Sequence, residues 1–305
     1  MYDIIILGGG AAGMTAAIYS ARYNLKPILI SENLGGLIID AHKVENYPGL
    51  NKLSGMELMS KFEEHVRYFN VEIKEQSVID IKKTKDGFLA TTNKAEKIGG
   101  KAIIFALGTQ KRKLNIKDEE KFSRKGISYC YTCDAPFYKG MNVAVVGGGD
   151  SACAAARLLS EYCPKVYIIA KEGLGGEPYN ISSVRSKKNI EILEHVVVSK
   201  IDGSKMVESV TLSNGKRLDV RALFVEIGSI PSTELVKGVK VGLDETGYIK
   251  VNDKMQTNID GIFAAGDVTT GSGGLRQVIT AAAEGAIAAN SAFNYLRIKR
   301  ENPKI

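Results

Sequence analysis

The sequence predicts an α/β protein carrying two dinucleotide-binding βαβ units, and three observations predict it. Two glycine-rich turns, Gly8-Gly9-Gly10-Ala11-Ala12-Gly13 and Gly147-Gly148-Gly149-Asp150-Ser151-Ala152, stand about 140 residues apart. Each follows a short apolar run that reads as a buried strand, residues 2–7 and 142–146. Each opens an alanine-rich stretch of helical length that leads to a second apolar strand, residues 26–31 and 165–169. A lone glycine turn would be weak, because such turns are common. Strand, turn, helix and strand in register are specific.

In the first unit every glycine has a mechanical task. Gly8 permits the tight turn, Gly10 lets the backbone approach a pyrophosphate, and Gly13 lets the helix lie close to the strand. Ala11 and Ala12 begin the helix, whose positive end faces the phosphates. Glu32 lies 19 residues past Gly13, where an acid can accept from a ribose hydroxyl. In the second unit Gly147 and Gly149 repeat the turn, and Asp150 and Ser151 begin the helix. Ala152 takes the third glycine's place, which the fingerprint tolerates.

The rest of the chain reads more coarsely. Ser54 and Glu57 form a capping box before a helix with one apolar face, Leu58, Met59, Phe62, Val66 and Phe69. Short strands follow near 71–74, 78–81 and 88–91, and an apolar strand at 102–106. The second half repeats this plan with strands near 191–193, 196–201, 207–212 and 222–227. Residues 275–297 form a long final helix.

Composition narrows the functional classes. A chain of 305 residues is long enough for about two domains. Its 44% apolar and 25% charged content is that of a globular protein, not a disordered one. No apolar run approaches the roughly 20 residues that span a bilayer. The apolar start has no basic flank and runs straight into a glycine turn, so it reads as a strand and not a leader. A cytoplasmic protein without a membrane partner is the expectation. The net charge of +7 reads as a lysine-rich solvated surface. No basic tract is interleaved with aromatics, so nucleic acid is not an expected partner. A basic face does speed encounter with an acidic protein.

Four cysteines in such a chain are not a disulfide scaffold, so a close pair attracts a redox reading. Cys130-Tyr131-Thr132-Cys133-Asp134 is that pair; two intervening residues let a small ring close and reopen. The competing readings are half of a zinc site or two buried thiols. His42, His65 and His195 are scattered and no second CxxC exists, so no metal is expected. Asp134 reads either as a turn residue or as the group that handles a proton when a thiolate leaves. Cys153 and Cys163 read as ordinary buried cysteines.

These residues resemble the low-molecular-weight thioredoxin reductases over essentially the whole chain. Gly35-Gly36-Leu37-Ile38 is similar to that family's Gly-Gly-Gln-Leu segment. Glu45-Asn46-Tyr47-Pro48-Gly49 resembles its loop with an asparagine at the flavin, and Ala106-Leu107-Gly108-Thr109 its Ala-Thr-Gly turn. Ala264-Ala265-Gly266-Asp267 is similar to the late FAD motif, in which the aspartate binds the ribityl chain. Arg276-Gln277-Val278 resembles the segment beside the isoalloxazine ring. The resemblance implies two Rossmann-like, three-layer ββα domains, the second inserted into the first. The FAD domain would comprise 1–114 and 244–305, and the NAD(P)-binding-like domain with the cysteine pair 115–243. It further implies a homodimer with thioredoxin or a glutaredoxin-like protein as partner. Cys133 would be the sulfur nearest the flavin, Cys130 the one that attacks the partner, and Asp134 the acid–base residue.

One segment departs from that pattern. NADPH-dependent members carry a His-Arg-Arg run and a further arginine that grip the 2′-phosphate. This chain has Ala170-Lys171-Glu172 and, at the later position, Gly176. One lysine beside a glutamate does not replace a bidentate arginine clamp. Three donor readings follow. NADH would use Glu172, 20 residues beyond Ala152, on a free 2′-hydroxyl. Reduced ferredoxin or a deazaflavin would bypass the nicotinamide site. NADPH would bind weakly through Lys171. Two rival functions are a flavin oxidase that reduces oxygen and a non-catalytic flavin-binding protein.

Overall fold

A computed structural model describes residues 1–50 and 52–301. The chain divides into two compact units, Met1–Gln110 together with the chain from Pro231 onward, and Lys111–Ile230. The family resemblance implies limits at 114/115 and 243/244. The second crossing comes earlier because Val236 and Val241, both buried, join the first unit's core beside Ile81 and Phe88. At the first crossing, Leu114 packs with the second unit's Phe122 and Val207.

In the first unit, strands β1 (Tyr2–Gly9), β2 (Pro27–Leu34) and β3 (Glu72–Glu75) pair in parallel. Strands β4 (Val78–Thr84), β5 (Gly87–Thr92) and β6 (Lys97–Phe105) form an antiparallel meander. The sheet order is β3-β2-β1-β6-β5-β4, with Ile262–Ala264 also paired to β6. Strand β6 serves both halves. Its first residues pair with β5, and Ile103, Ile104 and Phe105 pair in parallel with Ile262–Ala264. It begins at Lys97 rather than 102, because Gly99 and Gly100 interrupt the apolar pattern but not the ladder.

Strand β1 is apolar throughout because both of its faces are covered, as expected of a parallel sheet. Ile4 and Ile6 pack with helix α1 (Ala11–Arg22) and the last helix, Val278–Glu301. Ile5 and Leu7 pack against the meander side with Ile81, Phe88 and Ile249. Helix α2 (Gly55–Tyr68) starts at the predicted capping box: the Glu57 amide donates to Ser54 Oγ (3.2 Å), and the Ser54 amide to Glu57 Oε2 (2.7 Å). The last helix starts at Val278, not at 275, so Arg276 and Gln277 lie on the turn that leads into it.

The second unit has a parallel sheet ordered Ile190–Glu194, Val166–Ala170, Val143–Val146, Ala222–Val225 and Ile127–Ser128. Helix Asp150–Tyr162 covers one face, with Val143, Val145 and Ala156 in one core. A separate antiparallel sheet, Val198–Asp202, Ser209–Leu212 and Arg217–Leu218, shares a second core with Ala144 and Val146. The helix Pro178–Arg185 and the helical turn Tyr131–Asp134 have no counterpart in the sequence reading. Among the described residues no helix is long and apolar enough to cross a membrane.

Candidate active site

The first glycine turn is built by close approach. Gly8 has φ +112°, and a Cβ there would fall on the Ala106 carbonyl at the end of β6. A Cβ at Gly13 would fall on the Gly8 carbonyl, so helix, turn and strand can meet only without side chains. At Gly10, the residue before α1, a Cβ would have only Gly36 Cα for a neighbour, at 4.0 Å. That gap lies at a helix start that no side chain caps, the chemistry that a pyrophosphate requires. Glu32 is exposed at the end of β2, and Leu37 is exposed in the turn Gly36–Asp40.

Distant segments converge on this turn. Gly266 approaches Ala12, where an added Cβ would stand 2.9 Å from the alanine's own. Asn46 Nδ2 donates to Gln277 Oε1 at 2.9 Å across 231 residues of chain. The Arg276 guanidinium lies 4.0 Å over the Tyr248 ring, and its Nε donates to the Asp267 carbonyl at 3.4 Å. The Asp267 carboxyl is pushed above its ordinary range by burial, against the pull of Arg276 and with a further push from Glu284. Gly108 (φ +60°) is open on its side-chain face, and Val278 is the helix's first residue. The donor set, the phosphate gap and the glycine contacts fit FAD.

In the second unit, Cys130 and Cys133 form a disulfide with Cα atoms 5.4 Å apart. Cys130 precedes the helical turn Tyr131–Asp134, and its Sγ accepts from the Cys133 amide at 3.2 Å. Tyr131, Ala135 and Tyr138 are buried against helix Asp150–Tyr162, which fixes the turn. Cys133 is exposed, while Cys130 and Asp134 are half-buried. Asp134 lies near enough to Tyr138 to reinforce the rise that burial imposes on that phenol.

Three residues that the sequence reading does not single out, Lys111, Glu119 and Glu226, form the network that holds Tyr129, the residue before Cys130. Lys111 Nζ donates to the Tyr129 carbonyl and pairs with the buried Glu226 carboxylate at 3.5 Å. The Tyr129 hydroxyl donates to Glu119, which also accepts from the Leu114 and Asn115 amides at 2.8 and 2.7 Å. Burial first, and then Glu119, raise the Tyr129 phenol. No spacing rule links these positions, so no sequence signal could have found them.

The second glycine turn keeps its shape, with Gly147 at φ +141° against the Glu226 carbonyl and Gly149 open. Ala152 fits against Gly147, its methyl 3.2 Å from a Cβ placed there. Asp150 Oδ1 accepts from the Glu177 amide (2.6 Å) and from Asn180 Nδ2 (2.8 Å), while Ser151 is exposed. Lys171 and Glu172 are exposed and face each other at 3.8 Å. At Gly176 a Cβ would lie 2.7 Å from Asp150 Oδ1, so no side chain of any kind fits without a shift.

Cys153 and Cys163 lie in the same core and are buried. Burial raises both thiols, Cys163 to about 11, so both are protonated near pH 8. After reduction, iodoacetamide at pH 8 should modify Cys130 and Cys133 alone in the native protein, and all four cysteines after denaturation. Native labelling of Cys153 or Cys163, read by peptide mass, would contradict this assignment.

Two dinucleotide-type folds, one with an FAD-shaped cradle and one with a reversible disulfide, define a flavin-linked disulfide oxidoreductase. Residues 2–285 match the pyridine nucleotide-disulphide oxidoreductase family, and the chain belongs to it, within its low-molecular-weight thioredoxin reductase group. Membership implies FAD and a pyridine nucleotide. A thioredoxin reductase of Peptoclostridium litorale is 37% identical over 97% of each chain. The crystal structure of Lactococcus lactis thioredoxin reductase is 33% identical, with a TM-score of 0.93 over 98% of this chain and 100% of that one. A ferredoxin-flavin thioredoxin reductase of Clostridium acetobutylicum is 35% identical over 99% of each chain, with a TM-score of 0.56.

Proposed function

We propose that this flavoprotein passes two electrons through its Cys130–Cys133 disulfide to thioredoxin or a glutaredoxin-like protein, and draws them from reduced ferredoxin or a deazaflavin. The disulfide on an anchored turn of the second unit is the observation that carries the reading. Gly8–Gly13, Glu32, Asn46, Asp267 and the Arg276-Gln277-Val278 turn would hold FAD, which when bound would supply the two-electron reservoir. With the pair reduced, the Cys130 thiolate attacks the partner's disulfide. A mixed disulfide forms and one partner thiolate leaves. Cys133 then attacks Cys130 Sγ, the second partner thiolate leaves, and the Cys130–Cys133 bond re-forms. Asp134, the residue next to Cys133, exchanges the proton as each thiol becomes a thiolate. The Cys133 amide aimed at Cys130 Sγ favours the anion there, which supports Cys130 as the attacking sulfur.

The donor rests on the changed segment 170–176 and on likeness to the Clostridium acetobutylicum enzyme. NADH is the second reading, because the exposed Glu172 suits a free ribose hydroxyl. The family resemblance supports a cytoplasmic homodimer. The direct test supplies chemically reduced ferredoxin anaerobically and counts thiols appearing on oxidised thioredoxin. Two thiols per electron pair are expected. Ferredoxin oxidation without thioredoxin thiols would sink the proposal.

A further inference from the structure

Glu284 sits on the last helix with 4% of its surface exposed, a costly place for a carboxylate unless donors surround it. Its Oε2 accepts from the Gly266 amide at 2.8 Å and from Thr269 Oγ1 at 3.0 Å, and its Oε1 accepts from Ser272 Oγ at 2.5 Å. All three donors belong to one loop, residues 266–272, which turns over the carboxylate. A Cβ at Gly271 would fall on Glu284 Oε1, so the loop backbone is laid directly against it.

This loop carries Gly266 and Asp267. Gly266 has φ +80° and approaches Ala12 at the start of α1, and Thr269 closes the turn with its amide donating to the Gly266 carbonyl at 2.9 Å. The neighbouring residue, Gly285, is where the last helix meets α1: a Cβ there would fall on the Ala12 carbonyl. Glu284 and Gly285 therefore tie two pieces of the cradle to one helix, the first glycine turn and the Asp267 loop, and the turn with Arg276 and Gln277 leads directly into that helix.

We infer that Glu284 is a positioning residue for the flavin site, holding the 266–272 loop so that Asp267 and Gly266 meet the cofactor without further ordering. The inference rests on the FAD reading above. Its energetic content is preorganisation: a loop already fixed loses less entropy when FAD binds. Charge-assisted hydrogen bonds to a buried carboxylate are the strong kind, and removing the acceptor takes it from the Gly266 amide and the Ser272 hydroxyl.

The test strips FAD from the protein and titrates it back, following quenching of flavin fluorescence. Glu284→Ala is expected to weaken FAD binding about 100-fold. Glu284→Gln, which keeps an accepting oxygen but turns an amide toward one donor, should weaken it about tenfold, a partial rescue. Leu296→Ala, a core change further along the same helix, controls for lost stability. It should lower Tm yet leave the FAD Kd within about twofold of the wild type. If Glu284→Ala does not fold, Glu284→Gln carries the comparison. Wild-type FAD affinity in a folded Glu284→Ala, or in Glu284→Gln where Glu284→Ala does not fold, overturns the inference and leaves Glu284 as a stability residue. A wild-type protein that takes up no FAD overturns the flavin reading instead.

Discussion

Cys130→Ser is expected to reduce protein-disulfide turnover by a factor on the order of 10³ or more, while the flavin still accepts electrons. The attacking species is a thiolate, and a serine hydroxyl is not ionised near neutral pH, so no mixed disulfide can form. Cys133→Ser should also stop turnover, but by a different route. It leaves Cys130 able to attack and removes the sulfur that resolves the adduct, so thioredoxin should accumulate as a stable covalent complex. Exposure alone would assign the attack to Cys133, the more accessible sulfur. The amide that Cys130 Sγ receives argues the other way, because it stabilises the anion before attack. Non-reducing electrophoresis decides between them: a trapped complex with Cys130→Ser instead of Cys133→Ser would reverse the two roles. Full thioredoxin reduction by Cys130→Ser would remove the pair from the mechanism altogether. The rival readings separate in the same experiment. An oxidase would keep consuming oxygen at the wild-type rate in both variants, and a non-catalytic flavin protein would show no turnover to lose.

Much of this was legible before any coordinates. Local chemistry prints itself in sequence: the Gly8–Gly13 spacing is forced by contacts that exclude a Cβ, and the Ser54–Glu57 box closes within one helical turn. What stayed hidden depends on residues brought together across long stretches of chain. Lys111 and Glu119 hold Tyr129, and Glu226 holds Lys111, from three separate segments, and each alone looks like a surface charge. Glu284 is one acid in an alanine-rich helix, and nothing in its spacing announces that a loop folds over it. The sequence predicts β6 only from 102, because Gly99 and Gly100 hide the alternation, although the backbone ladder needs no side chains there. The resemblance implies a boundary at 243/244 and the compact units divide at 230/231, for a similar reason. Whether Val236 belongs to one core or another depends on its neighbours in space, not in sequence.

Anaerobic NADPH is expected to leave the flavin oxidised over the time in which reduced ferredoxin bleaches it. A dinucleotide's 2′-phosphate needs cations that approach as a fork, and each such hydrogen bond contributes about 1.5–3 kcal/mol. Here the cation that stands in the run, Lys171, is exposed and faces Glu172 at 3.8 Å, so its charge is already answered and a phosphate would meet a carboxylate. The position of the missing later arginine is blocked as well as vacant. A Cβ at Gly176 would crowd Asp150 Oδ1, and that oxygen is held by the Glu177 amide and Asn180. Losing two clamp bonds predicts an affinity at least about 100-fold below that of an arginine-bearing relative, with no preference for NADPH over NADH. Stopped-flow absorbance of the flavin band tests this directly: fast bleaching by tens of micromolar NADPH would refute the reading of residues 170–176. Fast bleaching by NADH alone would transfer the donor role to the second reading. Glu172→Arg then separates a weakened nucleotide site from an abandoned one. If the open Gly149 turn still receives a pyrophosphate, one added guanidinium should raise the NADPH rate severalfold. If no nucleotide enters the second unit, the substitution should change nothing, and electrons must reach the flavin by a route that bypasses this turn.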